Sequence, residues 1–242
     1  MSDPLAPLLE LPGVADAVNS AQEAVFAVHR HPANLREGAA TAAEASVRAA
    51  RASAGIDGAD PELPAEGAVA DPLLAGALRV AEAMESLLPT WRRAPLQALA
   101  RMHLLAAADL TTDPDSLGRP AEHAGRRLEM LAELNTGGTA VPTAVLAAVV
   151  HGDLLTLAPF GTADGVVARA AARLTMIAGG LDPKALTVPE VACFRRVAKY
   201  REAADAFATG EPDGVVEWLL FCCAAFETGA KEAKGIADTA AS

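Results

Sequence analysis

This chain of 242 residues has little of what many folds and sites are built from. Aromatic side chains make up only 4% (six Phe, two Trp, one Tyr), which disfavours an aromatic-rich sheet. Three cysteines, two of them adjacent (Cys222 and Cys223), do not make a disulfide framework. Lys and Arg number 20 against 31 Asp and Glu, and the resulting net charge of −11 argues against a nucleic-acid binder and a polybasic membrane anchor. No apolar run reaches the roughly 18–20 residues of a membrane span. No basic stretch precedes an apolar one at the N-terminus, so no secretory leader is expected. Strand signals are missing as well, with no sustained alternation and no turn dipeptide flanked by β-branched runs. The motifs of P-loop, serine-hydrolase and dinucleotide sites do not occur. What is abundant is alanine, within a hydrophobic fraction of 52%. The expectation is an all-α, acidic, cytoplasmic protein with closely packed helices.

Helical periodicity and punctuation predict helices over 15–28, 39–53, 72–87, 95–110 and 122–134. Thr139 is placed to cap a further helix with Pro142 in its first turn, reaching about residue 155. Another is expected over 165–177, closed by Gly179 and Gly180. Thr187-Val-Pro-Glu190 reads as a capping box opening a helix through Phe207. The last helix, 215–228, carries Trp218, Leu219, Cys222 and Phe226 on one stripe, with Gly229 placed to end it. Breaker-rich stretches at 56–72, 111–120 and 158–164 read as loops. The domains expected are an N-terminal helical extension (1–90), a core (91–228) and a frayed tail (229–242).

The most informative loop lies between two helices and runs Ala158-Pro-Phe-Gly-Thr-Ala-Asp-Gly-Val-Val-Ala-Arg169. A glycine-containing turn feeding a helix N-terminus offers N–H groups and the positive end of the helix dipole to an anion. Arg169, one turn into that helix, adds a guanidinium suited to phosphate. The structural alternative is an ordinary glycine-rich link between helices.

This segment resembles the signature loop of the Fic (Fido) family, His-Pro-Phe-x-Asp/Glu-Gly-Asn-Gly-Arg-x-x-Arg. Pro159, Phe160, Gly165 and Arg169 match it, and His151 matches a histidine often present on the preceding helix. The helix holding His103, the Gly118-Arg119 pair and the closing helices with Tyr200 and Trp218 resemble the flanking parts of the family's domain. The resemblance spans about residues 95–228. It implies an all-α, Fic-like helical core with the N-terminal extension added, and an ancestry in AMP transfer from ATP to a protein hydroxyl.

The departures bear on chemistry. Ala158 stands where the family's loop histidine deprotonates the target hydroxyl, and a methyl accepts no proton. Thr162 replaces the acidic residue that holds Mg²⁺, Ala163-Asp164 replaces Gly-Asn, and Val166 replaces the first arginine. Residues 119–135 lack the strand pattern of the family's docking hairpin. Ser53-Ala-Gly-Ile-Asp57-Gly58 resembles the family's inhibitory motif, which implies an inhibitory or structural pair between Asp57 and Arg169. The alternative leaves Asp57 in solvent beyond a helix cap at Gly55.

Other candidates carry less. His29 and His31 point apart on a helix, and His103 and His151 read as histidines of the core or of helix ends. Arg92-Arg93 reads as a solvated helix start, and Cys193 and Cys222 as small buried residues. The leading expectation is a catalytically degenerate Fic-fold protein acting through an unidentified protein partner, with no catalytic residue and no metal site. Gly165 and Arg169 are the candidates for anion or nucleotide binding. No cofactor is expected, and any residual ATP binding would not depend on Mg²⁺. The alternatives are a Fic-type AMP transferase with a non-standard loop and an inert helical module. Alanine-rich faces also permit a homodimer.

Overall fold

The computed structural model describes residues 3–36 and 38–241, which contain eleven α-helices and no strand. In chain order these are α1 (Val14–His29), α2 (Pro32–Arg36), α3 (Gly38–Ile56), α4 (Pro72–Arg93) and α5 (Pro95–Ala107). Then follow α6 (Gly125–Glu133), α7 (Thr143–Leu157), α8 (Asp164–Ala178), α9 (Pro189–Arg195), α10 (Val197–Ala208) and α11 (Pro212–Ala240). No described helix is long and apolar enough to cross a membrane.

Local chemistry explains several of these boundaries. The Asp71 carboxylate accepts the N–H groups of Leu73 and Leu74 at the start of α4, where Pro72 loses no hydrogen bond by lacking its own. Leu74, Ala77, Val80, Met84, Leu87 and Trp91 then line one buried stripe of that helix.

The hairpin of α7 and α8 forms the centre of the molecule. Every residue of α8 from Val166 to Ile177 is buried, a pattern possible only for a helix covered on all sides. One apolar cluster joins α7 to residues of α1 and of α9–α11, with Trp218 fully enclosed. A second joins α7 and α8 to α4, α5 and α6, with Trp91 fully enclosed.

The structure revises several local expectations. The boundary drawn at 90/91 falls inside α4, and α4 shares one cluster with α5 and α8. The segment 229–242 is not a tail as far as it is described, because α11 continues to Ala240 and buries Ala230, Ala233, Ile236 and Ala237. The first two pack into the cluster holding Val14 and Val18, while Ile236 meets Ala45 and Ala49. The helix expected through Phe207 breaks at Arg196 (φ −126°, ψ 40°). Its capping box does not form: the Thr187 hydroxyl donates to Asp182 at 2.6 Å, and Glu190 pairs with Arg173 at 3.3 Å. Thr139 is not the cap of α7, since it donates to the Asp3 carboxylate at 2.7 Å. Arg92 and Arg93 lie in the last turn of α4, exposed, and not at a helix start.

Gly229 therefore has a role other than ending a helix. A Cβ there would lie 2.5 Å from the backbone nitrogen of Pro189, where α11 passes the start of α9. Alanine has the higher helix propensity by about 1 kcal/mol. Overpacking against a backbone atom typically costs about 1–3 kcal/mol. Gly229→Ala is expected to lower stability in urea unfolding; an unchanged or raised midpoint would show that the crossing has slack.

Candidate functional site

The turn between α7 and α8 is built from residues in unusual conformations. Ala158 closes α7 with φ 41°, Gly161 follows at 74°, and Ala163 precedes α8 at 52°. The two alanines occupy the left-handed region, which costs an L-residue roughly 1–2 kcal/mol each, so neighbouring contacts must hold the turn. Three such contacts are present. Asp164 folds back from the first turn of α8 and accepts the Phe160 N–H at 2.9 Å. The Phe160 ring stacks on the His103 imidazole with centroids 4.3 Å apart. Pro159 is buried, and its carbonyl accepts the Ala121 N–H at 2.8 Å.

His103 ties this turn to the segment following α5. Its Nδ1 accepts the Gly118 N–H at 2.9 Å, which leaves Nε2 to donate to the Thr162 hydroxyl at 3.0 Å. Burial lowers the affinity of this ring for a second proton, with the contact to Thr162 opposing. The expected histidine is thus a core residue that fixes Thr162, whose own position stays exposed.

Asp164 is held above the usual carboxylate range, because burial outweighs the stabilising N–H groups of Phe160 and Gly161 and nearby Asp57 adds repulsion. Asparagine keeps an oxygen for the Phe160 N–H without burying charge. Asp164→Asn is expected to raise stability at neutral pH, an effect that shrinks as acid neutralises the wild-type carboxyl. Thermal unfolding at two pH values reads both parts.

One and a half turns into α8, Arg169 is 3% exposed and fully engaged. Its Nε donates to the Ser53 hydroxyl at 2.8 Å, and Nη2 donates to the Ser53 carbonyl at 3.0 Å and to Asp57 at 2.5 Å. Nη1 donates to the Tyr200 oxygen at 3.3 Å. Burial opposes the charge, but Tyr200 and Asp57 outweigh it, so the guanidinium stays protonated. Tyr200 in turn lies 2.8 Å from His151 Nε2. Since Arg169 already donates to the phenol oxygen, the phenol proton goes to His151, leaving that nitrogen as acceptor. Burial first, and the Arg169 charge second, lower the His151 pKa to about 3.

Gly165 is the position that lets these groups meet. A Cβ there would fall 2.5 Å from Asp57 Oδ2 and 2.9 Å from Arg169 Nη2. The Asp57 carboxylate thus lies against the first turn of α8, and Asp164 occupies the turn before it. The two sides of the sequence motif, Ser53 with Asp57 and Gly165 with Arg169, are together in space. Beside them opens a cleft of about 360 Å³ lined by Asp57, Thr156, Arg169, Tyr200, Arg201 and Asp205. Arg201 is itself engaged, donating to the Ile56 carbonyl at 2.8 Å.

The remaining candidates lie as follows. Ala158 is exposed at the turn, with no side-chain atom beyond its methyl, whereas Val166 is 2% exposed inside the cluster with Leu74. Arg119 is exposed, 3.7 Å from Asp115. His29 pairs with Asp182 at 2.8 Å and His31 with Asp238 at 3.1 Å, so the two rings share no partner in these contacts. Among the described residues no group of three His, Cys, Asp or Glu side chains could hold a metal. Cys193 and Cys222 are buried thiols, which burial holds well above their ordinary pKa.

Sequence reasoning missed the hydrogen bond from Tyr200 to His151 and two ion pairs, Arg173 with Glu190 and Arg127 with Asp153. Each joins side chains 17 to 49 residues apart. No spacing rule links such positions. The only prior signal was an isolated charge inside an otherwise apolar helix, as at Asp153 and Arg173.

An all-α domain centred on a buried hairpin whose turn abuts a carboxylate–guanidinium pair defines a class of fold, and solved structures identify it. A Fic family protein from Desulfovibrio desulfuricans G20 superimposes with a TM-score of 0.75 at 16% identity, over 93% of this chain and 74% of that one. Fic-1 of C. elegans (residues 134–508) gives 0.65 at 15% identity, over 96% of this chain and 75% of that one. The fold is that of Fic proteins. Neither a family model nor a curated protein sequence matches the chain.

Proposed function

We propose that this Fic-fold protein acts by binding a protein partner, its turn between α7 and α8 serving as structure and not as a site of nucleotide transfer. The observation that carries the reading is the position of two of the chain's own carboxylates at the start of α8. Asp164 takes the Phe160 N–H and Asp57 lies against Gly165. An incoming phosphate would meet like charge where it needs donors. Ala158 also lacks the proton acceptor that general-base catalysis requires, a contribution of roughly 10²–10⁴ in rate. Thr162, tied to His103, offers a hydroxyl where a hard cation prefers a carboxylate. An Asp57–Arg169 pair in this setting is structural, retained after the chemistry it once regulated. The partner is sought by cross-linking and affinity capture, with a second copy of this chain tested by sedimentation.

A second reading, a Fic-type AMP transferase with a non-standard loop, is favoured by the 360 Å³ cleft beside Arg169. Calorimetric titration with millimolar ATP separates the two. The expected result is no saturable heat with or without Mg²⁺. Saturable binding together with label transferred from radiolabelled ATP to any polypeptide would overturn the partner-binding reading.

A further inference from the structure

A cavity of about 510 Å³ opens where α6, the C-terminal half of α7 and the link between α10 and α11 converge. It touches the cleft over Arg169 only at Thr156 and Ala208. Its walls are mainly apolar, with Leu8, Val149, Leu157, Phe207 and Val215 among them, and His123, Arg127, Asp153 and Thr156 are the polar side chains on its lining. Asp153 is the buried one of the four, while His123 and Thr156 are exposed. Asp153 is 7% exposed, and its Oδ1 accepts from Arg127 Nη2 at 2.6 Å. Its Oδ2 has no hydrogen-bond partner among the described residues, yet it is not sealed from solvent. Since Asp153 lines the cavity, the open space adjoining that oxygen is the cavity itself. A ligand donor entering the cavity would take the place of water on that oxygen. Arg127 lies at the rim with its side chain 52% exposed and only Nη2 committed to Asp153.

We propose that this cavity is a binding site for an uncharged, largely apolar molecule carrying an adjacent hydrogen-bond donor and acceptor, such as a carboxamide. The donor meets Asp153 Oδ2 and the acceptor meets a free N–H of Arg127, while the apolar body lies against Val149, Leu157 and Val215. The volume falls within the roughly 300–1,000 Å³ of small-molecule sites. Charge excludes the alternatives. A cation would approach a carboxylate whose charge Arg127 already balances, and an anion would face the unpartnered Oδ2. Burial raises the Asp153 pKa, with Arg127 opposing.

The probes are 2-naphthamide, 2-naphthoate and 2-naphthylmethylammonium, titrated into the full chain and followed by methyl NMR. The amide is expected to bind saturably, with shifts centred on Val149, Leu157 and Val215, and at least about ten-fold more tightly than either ion. Asp153→Leu is expected to reduce amide binding by about ten-fold or more. Should that variant fail to fold, Val215→Trp fills the cavity from its rim and is expected to abolish binding of all three probes. Absence of amide binding, shifts centred elsewhere, an ion binding as tightly as the amide, or full binding by a folded Asp153→Leu or Val215→Trp variant would each overturn the proposal.

Discussion

Arg169→Ala is expected to destabilise the protein by about 3–5 kcal/mol, the loss typical of removing one member of a buried ion pair. The guanidinium is 2% exposed and makes contacts to Ser53, Asp57 and Tyr200. Its removal strands the Ser53 carbonyl and hydroxyl along with the Asp57 carboxylate, and leaves a cavity in the middle of α8. Asp57→Ala should cost less, because that carboxylate is 28% exposed while Arg169 keeps Ser53 and Tyr200. The two changes should also be non-additive by about 0.5–3 kcal/mol. Urea unfolding of both single variants and the double variant measures this coupling. Losses that simply add would show that Asp57 and Arg169 are neighbours without being partners. Arg169→Lys should not rescue, since an ammonium cannot present the planar fork that spans Ser53, Asp57 and Tyr200.

Acidification should act on the same network through His151. Its pKa is about 3 in the folded protein against an ordinary 6.5. Below pH 6.5 the unfolded chain takes up a proton on this ring and the folded chain does not. Stability therefore falls as pH drops from the ordinary value toward the depressed one. Between about pH 7 and pH 5 the loss from this residue approaches 2 kcal/mol. His151→Gln keeps an acceptor for Tyr200 and removes the titration. The difference between its stability profile and that of the wild type should open steadily through this window. Parallel profiles would mean that His151 is not buried as a neutral acceptor.

These two expectations rest on a site whose parts were legible in the sequence to different degrees. The turn itself was the most legible. Pro159, Phe160 and Gly165 are short-range signals, and the chain turns between two helices where they stand. Asp57 and Arg169 were paired only through a resemblance in pattern across 112 positions. Tyr200 was recognised as part of a closing helix, but not as the hydrogen-bonding link between Arg169 and His151. Gly229 shows the opposite failure, since a local rule applied correctly gave the wrong outcome. Glycine near the end of a periodic run usually terminates a helix, yet here the neighbouring backbone of Pro189 needed the space of a missing side chain.

By itself the sequence determined the class of fold, the approximate positions of most helices and the turn between α7 and α8. Those properties follow from propensity, periodicity and capping, which act over a few residues. Only the tertiary structure decided which charged groups became buried partners, that α11 extends to Ala240, and that two carboxylates lie at the start of α8. Such outcomes depend on which helix faces pack together. A buried charge takes whichever oppositely charged or hydrogen-bonding group the packing brings within reach, however distant in the chain.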